Sequence, residues 1–530
     1  MRKLRKWLAA GLSMTMALAL VACGSGAKND TKSNADGSAV KQASTQSKSS
    51  SAGTESKAST LEPVTLKMYF LGEPQSDNDM VFEEINKKLT EKINAKIEPH
   101  YLSWGDYQQR YPLLFSSGED FDMIYTAAWA FYAETASKGG FYEITPEMVD
   151  KYCPLAKAAL PEAAWTNTQV AGKNYMIPQN NYWANHYGAF VRGDLRKKYG
   201  MEPLKTVEDI EKFMAKVKEN ESGMIPLDVS SNNSEIIMRA LVMYPQGRYY
   251  LSHTLTYDYT NSEKLDLVPF YDLPGFEEHI KRMKDWNQKG YISKSDLTSS
   301  NTNRFDAGKS AVKFGNIGDA NTAWQNAKQN HPDWEVEYIN LLENKPLGSA
   351  GFTGNGVGFN ARSKNIERAL MATDLLNYDK DLNFLINSGI PGVHSKLLGT
   401  VKIDGHDFQQ VEVLKPDAYG GISTWCFANA PSLPIDSFPN YGEIQASYYF
   451  KQLVFNPVDG MSFVLDSVNT EQANVYNVRT EYSPILYLGF AEDPMATLAE
   501  FKEKLKAAGE EKFNQEITKQ AQAVFDAAKK

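Results

Sequence analysis

Trp129 and Tyr132 stand in "FDMIYTAAWAFYAE", where an apolar stretch of strand length runs straight into aromatic and small residues. Flat rings in such a place can cover the apolar face of a cyclic ligand. Carboxylates, amides and arginines can pair hydroxyls, and each buried contact made to a hydroxyl disfavours ligands that lack it. Glu73, in "LGEPQSDND", is a candidate hydroxyl acceptor; the alternative is a solvated surface acid. For Trp129 and Tyr132 the alternative is a place in the core beneath the following helix. Trp425, in the glycine-bracketed "GGISTWCFANAP", and Tyr441 are further aromatic candidates open to the same two readings.

Patterns for bond-making chemistry do not assemble. There is no G-x-S-x-G elbow. The histidines (His100, His186, His253, His279, His331, His394 and His406) include no H-x-x-x-H pair that would suit zinc. "GNGVGFN" lacks the G-x-G-x-x-G spacing and leads into a strand, so it makes no phosphate cradle. "NYDKDLN" has the oxygen density of a calcium loop without its glycine and closing glutamate, which favours helix-cap and surface roles. No cofactor or metal is expected. Paired carboxylates of a glycosidase are set by geometry rather than spacing, so that chemistry stays open.

The elements that must hold these residues read as α/β. "EPVTLKMYFLG" alternates as a strand; "DMVFEEINKKLTEKI" then places Phe82, Ile85, Leu89 and Ile93 on one helical face. "AKIEPHYLSW" and "FDMIYTAAW" are two further strands, separated by a helix carrying Pro112 and closed by Gly118. Strand and helix alternating in this way imply right-handed crossovers and a parallel sheet. Its ligand loops would lie beyond the carboxyl ends of the strands, where Glu73 and Trp129 fall. Further on, Thr206 and Asp209 form a capping box ahead of a stripe of Ile210, Phe213, Met214 and Val217. Near the end, Asp493 and Pro494 open a helix.

The termini and charge limit where such a body works. Arg2, Lys3, Arg5 and Lys6 precede an apolar run, Leu8 to Ala22, that is too short to span a bilayer but fits a secretory leader. Leu20-Val21-Ala22-Cys23 with Gly24-Ser25-Gly26 resembles the lipobox of bacterial lipoproteins, whose cysteine is diacylated and becomes the mature N-terminus. Two acyl chains anchor stably where one does not; the alternative is an ordinary secreted protein. Residues 24–60 are almost wholly small and polar, a flexible tether. The net charge of −9 becomes −13 once the four leader cations are gone, which argues against a nucleic-acid partner. Cys153 and Cys426 are left, and their pairing cannot be deduced.

Three collinear stretches resemble the extracellular solute-binding proteins of ABC importers, the class that includes maltose-binding protein. They are "LLFSSGEDFDMIYTAAWAFYAETASKGGFYEIT", "AGKNYMIPQ…GAFVRGDLRKKYGMEPLKTVEDIEKFM" and "RFDAGKSAVKFGNIGDANTAW". "GNGVGFNARSKNIERALMATDLL" resembles that family's return crossover. From about Val411 the chain resembles the poorly characterised closing region of a subgroup of family-1 binding lipoproteins. The resemblance implies a two-lobed, type II periplasmic-binding-protein-like fold, hinged, with the ligand in the interlobe cleft. It implies a first lobe of residues 61–182 and 357–410, and a second of 183–356 and 411–530. It places Asn180, Asn181 and Trp183 at the crossover, and Asn316 and Asp319 in a second-lobe binding loop. The function implied is capture of a carbohydrate, an oligosaccharide rather than a monosaccharide, by a monomer tethered through Cys23 to the outer face of the cell membrane and delivering to a permease. The alternatives are an extracellular glycoside hydrolase, a scaffold lipoprotein, or the same fold holding a peptide or polyol.

Overall fold

A computed structural model describes residues 61–179, 184, 186–299, 302–415, 418–419, 424–429, 432–435 and 437–529, within one compact unit. Cys23 and the tether lie outside these residues, as do Asn180, Asn181 and Trp183. No helix among the described residues is long and apolar enough to cross a membrane.

Nine strands build two central sheets. In chain order they are β1 (Val64–Leu71), β2 (Ala95–Leu102), β3 (Met123–Thr126), β4 (Met176–Pro178), β5 (Gly188–Arg192), β6 (Leu227–Asp228), β7 (Val312–Gly315), β8 (Val336–Ile339) and β9 (Gly356–Phe359). The first sheet runs β2-β1-β3-β9-β4. Its first three strands are parallel, as the alternating pattern predicts, and β9 enters antiparallel between β3 and β4. The second sheet runs β8-β5-β7-β6. Each sheet has its own apolar core, so the molecule is two-lobed α/β.

Local signals set the helices. Asn78–Ile93 buries Val81, Phe82, Ile85, Leu89 and Ile93 against the first sheet. The helix Tyr107–Ser117 ends at Gly118 in the left-handed region (φ 78°), where glycine has no Cβ to clash. Val207–Asn220 carries the full Thr206–Asp209 capping box and buries the four predicted apolar residues. Asp493 accepts from the Met495 and Ala496 backbone N–H groups at 2.9 and 3.0 Å, with Pro494 in the first turn. That last helix, Pro494–Ala507, packs with Asn469–Tyr487 and Glu510–Ala527 on the second lobe. Tyr487 meets Phe276, and Phe501 meets Phe270.

The glycines of "GNGVGFN" have a packing role. A Cβ on Gly356 would collide with Met176, and one on Gly358 would sit 2.7 Å from the Phe141 ring, so β9 can enter the sheet only with bare backbone there. Just before it, the crossover Ser349–Asn355 is clamped by the turn Asn456–Gly460. Thr353 Oγ1 donates to the Gly460 carbonyl, and Gly351 packs directly on the Asp459 backbone at φ +71°. Within that turn Asp459 is buried, accepting from the Tyr257 hydroxyl at 2.5 Å and the Asn456 N–H at 2.7 Å.

Around the lobe boundary read at Val411, the side chains interleave. Phe408 joins the second core, whereas Tyr419, Cys426 and Phe427 join the first. Cys153 and Cys426 are both buried, and no disulfide joins them.

Candidate functional site

A cleft of about 980 Å³ opens between the lobes. One wall comes from the segment after β3, Ala128 to Lys138, with Gly354 and Asn355. The other comes from residues 249–253, 458–472, Phe513 and Ile517.

The turn after β3 delivers Trp129 to this cleft. Ala130 N–H bonds back to the Ala127 carbonyl at 2.9 Å, and Phe131 takes a positive φ of 60°, so the chain reverses and throws the intervening indole outward. Ala128 N–H donates to Thr353 O at 2.8 Å, tying the turn to the crossover. The indole is held by one edge: Nε1 donates to the Gly354 carbonyl at 2.9 Å, and 48% of the residue stays exposed. Beside it, 44% exposed, Trp104 stacks with ring centroids 6.3 Å apart and planes at 27°. Tyr107 supports Trp104 edge-on at 5.6 Å. The Tyr125 ring lies 5.6 Å from Trp129 and its hydroxyl donates to Asn355 Oδ1, turning that amide's geometry into part of the same wall. An anchored indole of this kind presents an apolar face at little cost in side-chain freedom.

The facing wall is aromatic and polar together. Tyr249 and Tyr250 come from the strand Arg248–Tyr250, and His253 from the turn after it. His253 stacks on Phe513 with centroids 5.9 Å apart. Burial, reinforced by the Arg479 charge, pushes this imidazole down to about 4, so it is neutral at pH 7. Ser252, Ser462, Asn469 and Gln472 add hydrogen-bonding groups, and the Ser462 hydroxyl is buried without a partner among the described residues.

The remaining predicted residues are placed as follows. Tyr132 sits at the floor of the cleft but is fully buried, its hydroxyl donating to Thr168 O at 2.5 Å and accepting from Tyr175 N–H at 3.2 Å. That hydroxyl is engaged inside the first lobe. Glu73 is exposed in the loop after β1 and does not line the cleft. Asn316 and Asp319 form a capping box on the helix Ile317–Asn330: Asn316 Oδ1 accepts from Asp319 N–H at 2.9 Å, and Asp319 Oδ2 accepts from Asn316 N–H at 2.8 Å. Neither lines the cleft. Tyr441 takes the core alternative, edge-on to Phe438 at 5.2 Å in the second core. Trp425 lies in the single turn Thr424–Phe427, and its side chain falls outside the described residues, as do Asn180, Asn181 and Trp183 altogether.

Sequence reasoning missed Trp104, although it follows the carboxyl end of β2 just as Trp129 follows that of β3. It also missed Asn355 and the whole facing wall, whose residues are far apart in the chain. Among the described residues no group of three His, Cys, Asp or Glu side chains forms a metal site. Asp379 of "NYDKDLN" instead caps the helix Lys380–Ser388, accepting from Leu382 N–H at 3.1 Å, and pairs with Lys92 at 2.9 Å.

Residues 84–378 match the model of the bacterial extracellular solute-binding proteins, and residues 457–525 match that of a domain of unknown function, DUF3502. A protein of Streptococcus pneumoniae named carbohydrate ABC transporter substrate-binding protein is 26% identical over 470 residues, spanning 86% of this chain and 90% of its own. The crystal structure of the S. pneumoniae N-glycan transport solute binding protein NgtS superposes with a TM-score of 0.70 at 22% identity, covering 88% of this chain and 99% of that one. The alginate-binding protein AlgQ2 superposes with a TM-score of 0.62 at 16% identity, covering 89% and 99%.

Proposed function

This chain belongs to the bacterial extracellular solute-binding protein family, and from that we infer that it captures a carbohydrate, an oligosaccharide, in the interlobe cleft and hands it to the membrane permease of an ABC importer. The observation that carries the reading is a cleft whose two walls come from different lobes and both carry aromatic rings: Trp129, with Trp104 stacked beside it, opposite the half-buried Tyr249 and Tyr250. Its volume of about 980 Å³ sits at the top of the roughly 300–1,000 Å³ range of small-molecule sites, which suits several linked sugar rings better than one. Stacking on the rings and pairing of hydroxyls by Asn355, Ser462, Asn469 and Gln472 would make the grip non-covalent. Hinge motion at the crossovers would close it. Asn180, Asn181, Trp183 and Trp425 remain proposed contacts.

The location is extracytoplasmic with the family. In this reading Cys23 carries the lipid anchor, residues 23–60 form the tether, and the mature protein is a monomer. Anchoring beside the permease raises the effective concentration of the two. The relative's carbohydrate name and the glycan of NgtS agree with the proposed ligand class.

A thermal-shift screen across neutral and acidic oligosaccharides, peptides and polyols tests this, because a ligand bound only by the folded state raises Tm. Stabilisation by oligosaccharides alone is expected. Stabilisation by peptides alone, or release of new reducing ends, overturns it.

A further inference from the structure

We infer that the cleft is built for an uncharged oligosaccharide and turns away chains that carry carboxylates; this rests on the carbohydrate reading above. The charge lining the cleft is the reason. The acids are Glu134 and Asp466, and the one cation among the described lining residues, Lys138, is held by Glu134 at 2.6 Å. The cleft therefore offers no unpaired cation and keeps one unmatched acid, Asp466. His253, the remaining titratable nitrogen there, is neutral at pH 7 for the reasons given. The internal positions outside the described residues contain no Lys, Arg or His in the sequence, so they add no positive charge.

Two arginines lie behind the second wall, and their engagement decides the matter. Arg239 donates from Nε and Nη2 to Glu235 Oε1 at 3.0 and 2.9 Å, and Arg479 donates from Nη2 to Glu235 Oε2 at 2.7 Å. Both guanidiniums also pack on the Tyr250 ring, at 5.0 and 4.6 Å from its centroid. The tyrosines line the cleft and the arginines do not. One carboxylate between two guanidiniums leaves the cluster a net charge of +1, but that charge sits behind the tyrosine rings, so the surface toward the ligand is aromatic and offers a carboxylate no guanidinium N–H. A carboxylated sugar entering this cleft would lose its hydration shell, find no cationic partner, and meet Asp466; building such mismatch against the wrong ligand is how specificity is made.

The test uses matched chains on the purified protein, by calorimetry. For each neutral oligosaccharide that binds, the same chain oxidised at C6 to carboxylates should bind at least about tenfold more weakly at low salt, and the gap should shrink as salt screens the repulsion. The double variant Glu134→Gln with Asp466→Asn frees Lys138 and removes both acids, and it should narrow the neutral-to-acidic ratio by about tenfold. Oxidised chains that bind as tightly as their neutral parents, or a gap indifferent to both salt and the double variant, overturn the inference while the carbohydrate reading stands. If neither neutral nor oxidised chains bind, the carbohydrate reading falls and takes this one with it.

Discussion

Trp129 and Tyr132 are three residues apart and are held in opposite ways, which separates binding from folding. Trp129 keeps one edge tied to Gly354 and one face open. Trp129→Ala should weaken the oligosaccharide by roughly five- to thirtyfold, the size of a stacking anchor, while Tm barely moves; titration calorimetry and a melting curve read both. Tyr132→Phe should do the reverse. It strips a donor from the buried Thr168 carbonyl and an acceptor from Tyr175 N–H, costing about 1–3 kcal/mol of stability and far less of the affinity. Which ring would be accessible was not legible in the sequence: "AAWAFY" gives three aromatics after a strand, and only the backbone reversal at Phe131 decides that Trp129 faces out.

Among the elements, the clamp of the turn Asn456–Gly460 on the crossover carries a proton. Burial drives the Asp459 carboxyl up to about 7, although the Tyr257 hydroxyl and Asn456 N–H pull the other way. A carboxyl that holds its proton more tightly folded than unfolded favours the folded state at low pH, so this group's contribution is present below the unfolded carboxylate range and is lost as pH rises toward 7. Asp374, raised to about 6 by burial, acts in the same sense. Stability should therefore fall by a few kcal/mol between about pH 4 and pH 7 from these groups, and Asp459→Asn should flatten much of that slope; denaturant melts across the pH range measure it. Element boundaries were largely legible where the signal is local. The stripe Ile210, Phe213, Met214 and Val217 and the cap at Thr206 follow from spacing alone. Asn316 and Asp319 carry the same N-cap spacing, and family likeness drew them instead toward a binding loop. The antiparallel entry of β9 left no local trace, since only its neighbours in space, Met176 and Phe141, explain its glycines.

At the scale of the whole molecule, the C-terminal segment does two jobs. Its helices bury Phe501 and Phe513 in the second core, and its loops and Phe513 line the cleft. A chain ending at Phe455 should lose the second lobe's cooperative unfolding in calorimetry and all oligosaccharide binding, because Phe270 and His253 would be left without Phe501 and Phe513 against them. The intact molecule should contract on loading, with a smaller radius of gyration in X-ray scattering. Two lobes and a gap between them could be read from motif order. The second wall could not, since it assembles from strand, turn and helix more than two hundred residues apart.

The half-open indole on the cleft wall also makes the molecule its own reporter. A sugar ring laid on Trp129 would displace water from a fluorophore beside a second tryptophan, so occupancy should change emission colour and intensity with no dye attached. Subtracting the spectrum of a Trp129→Phe protein would isolate that signal from the seven other tryptophans that follow Cys23, giving a stopped-flow clock for loading and release.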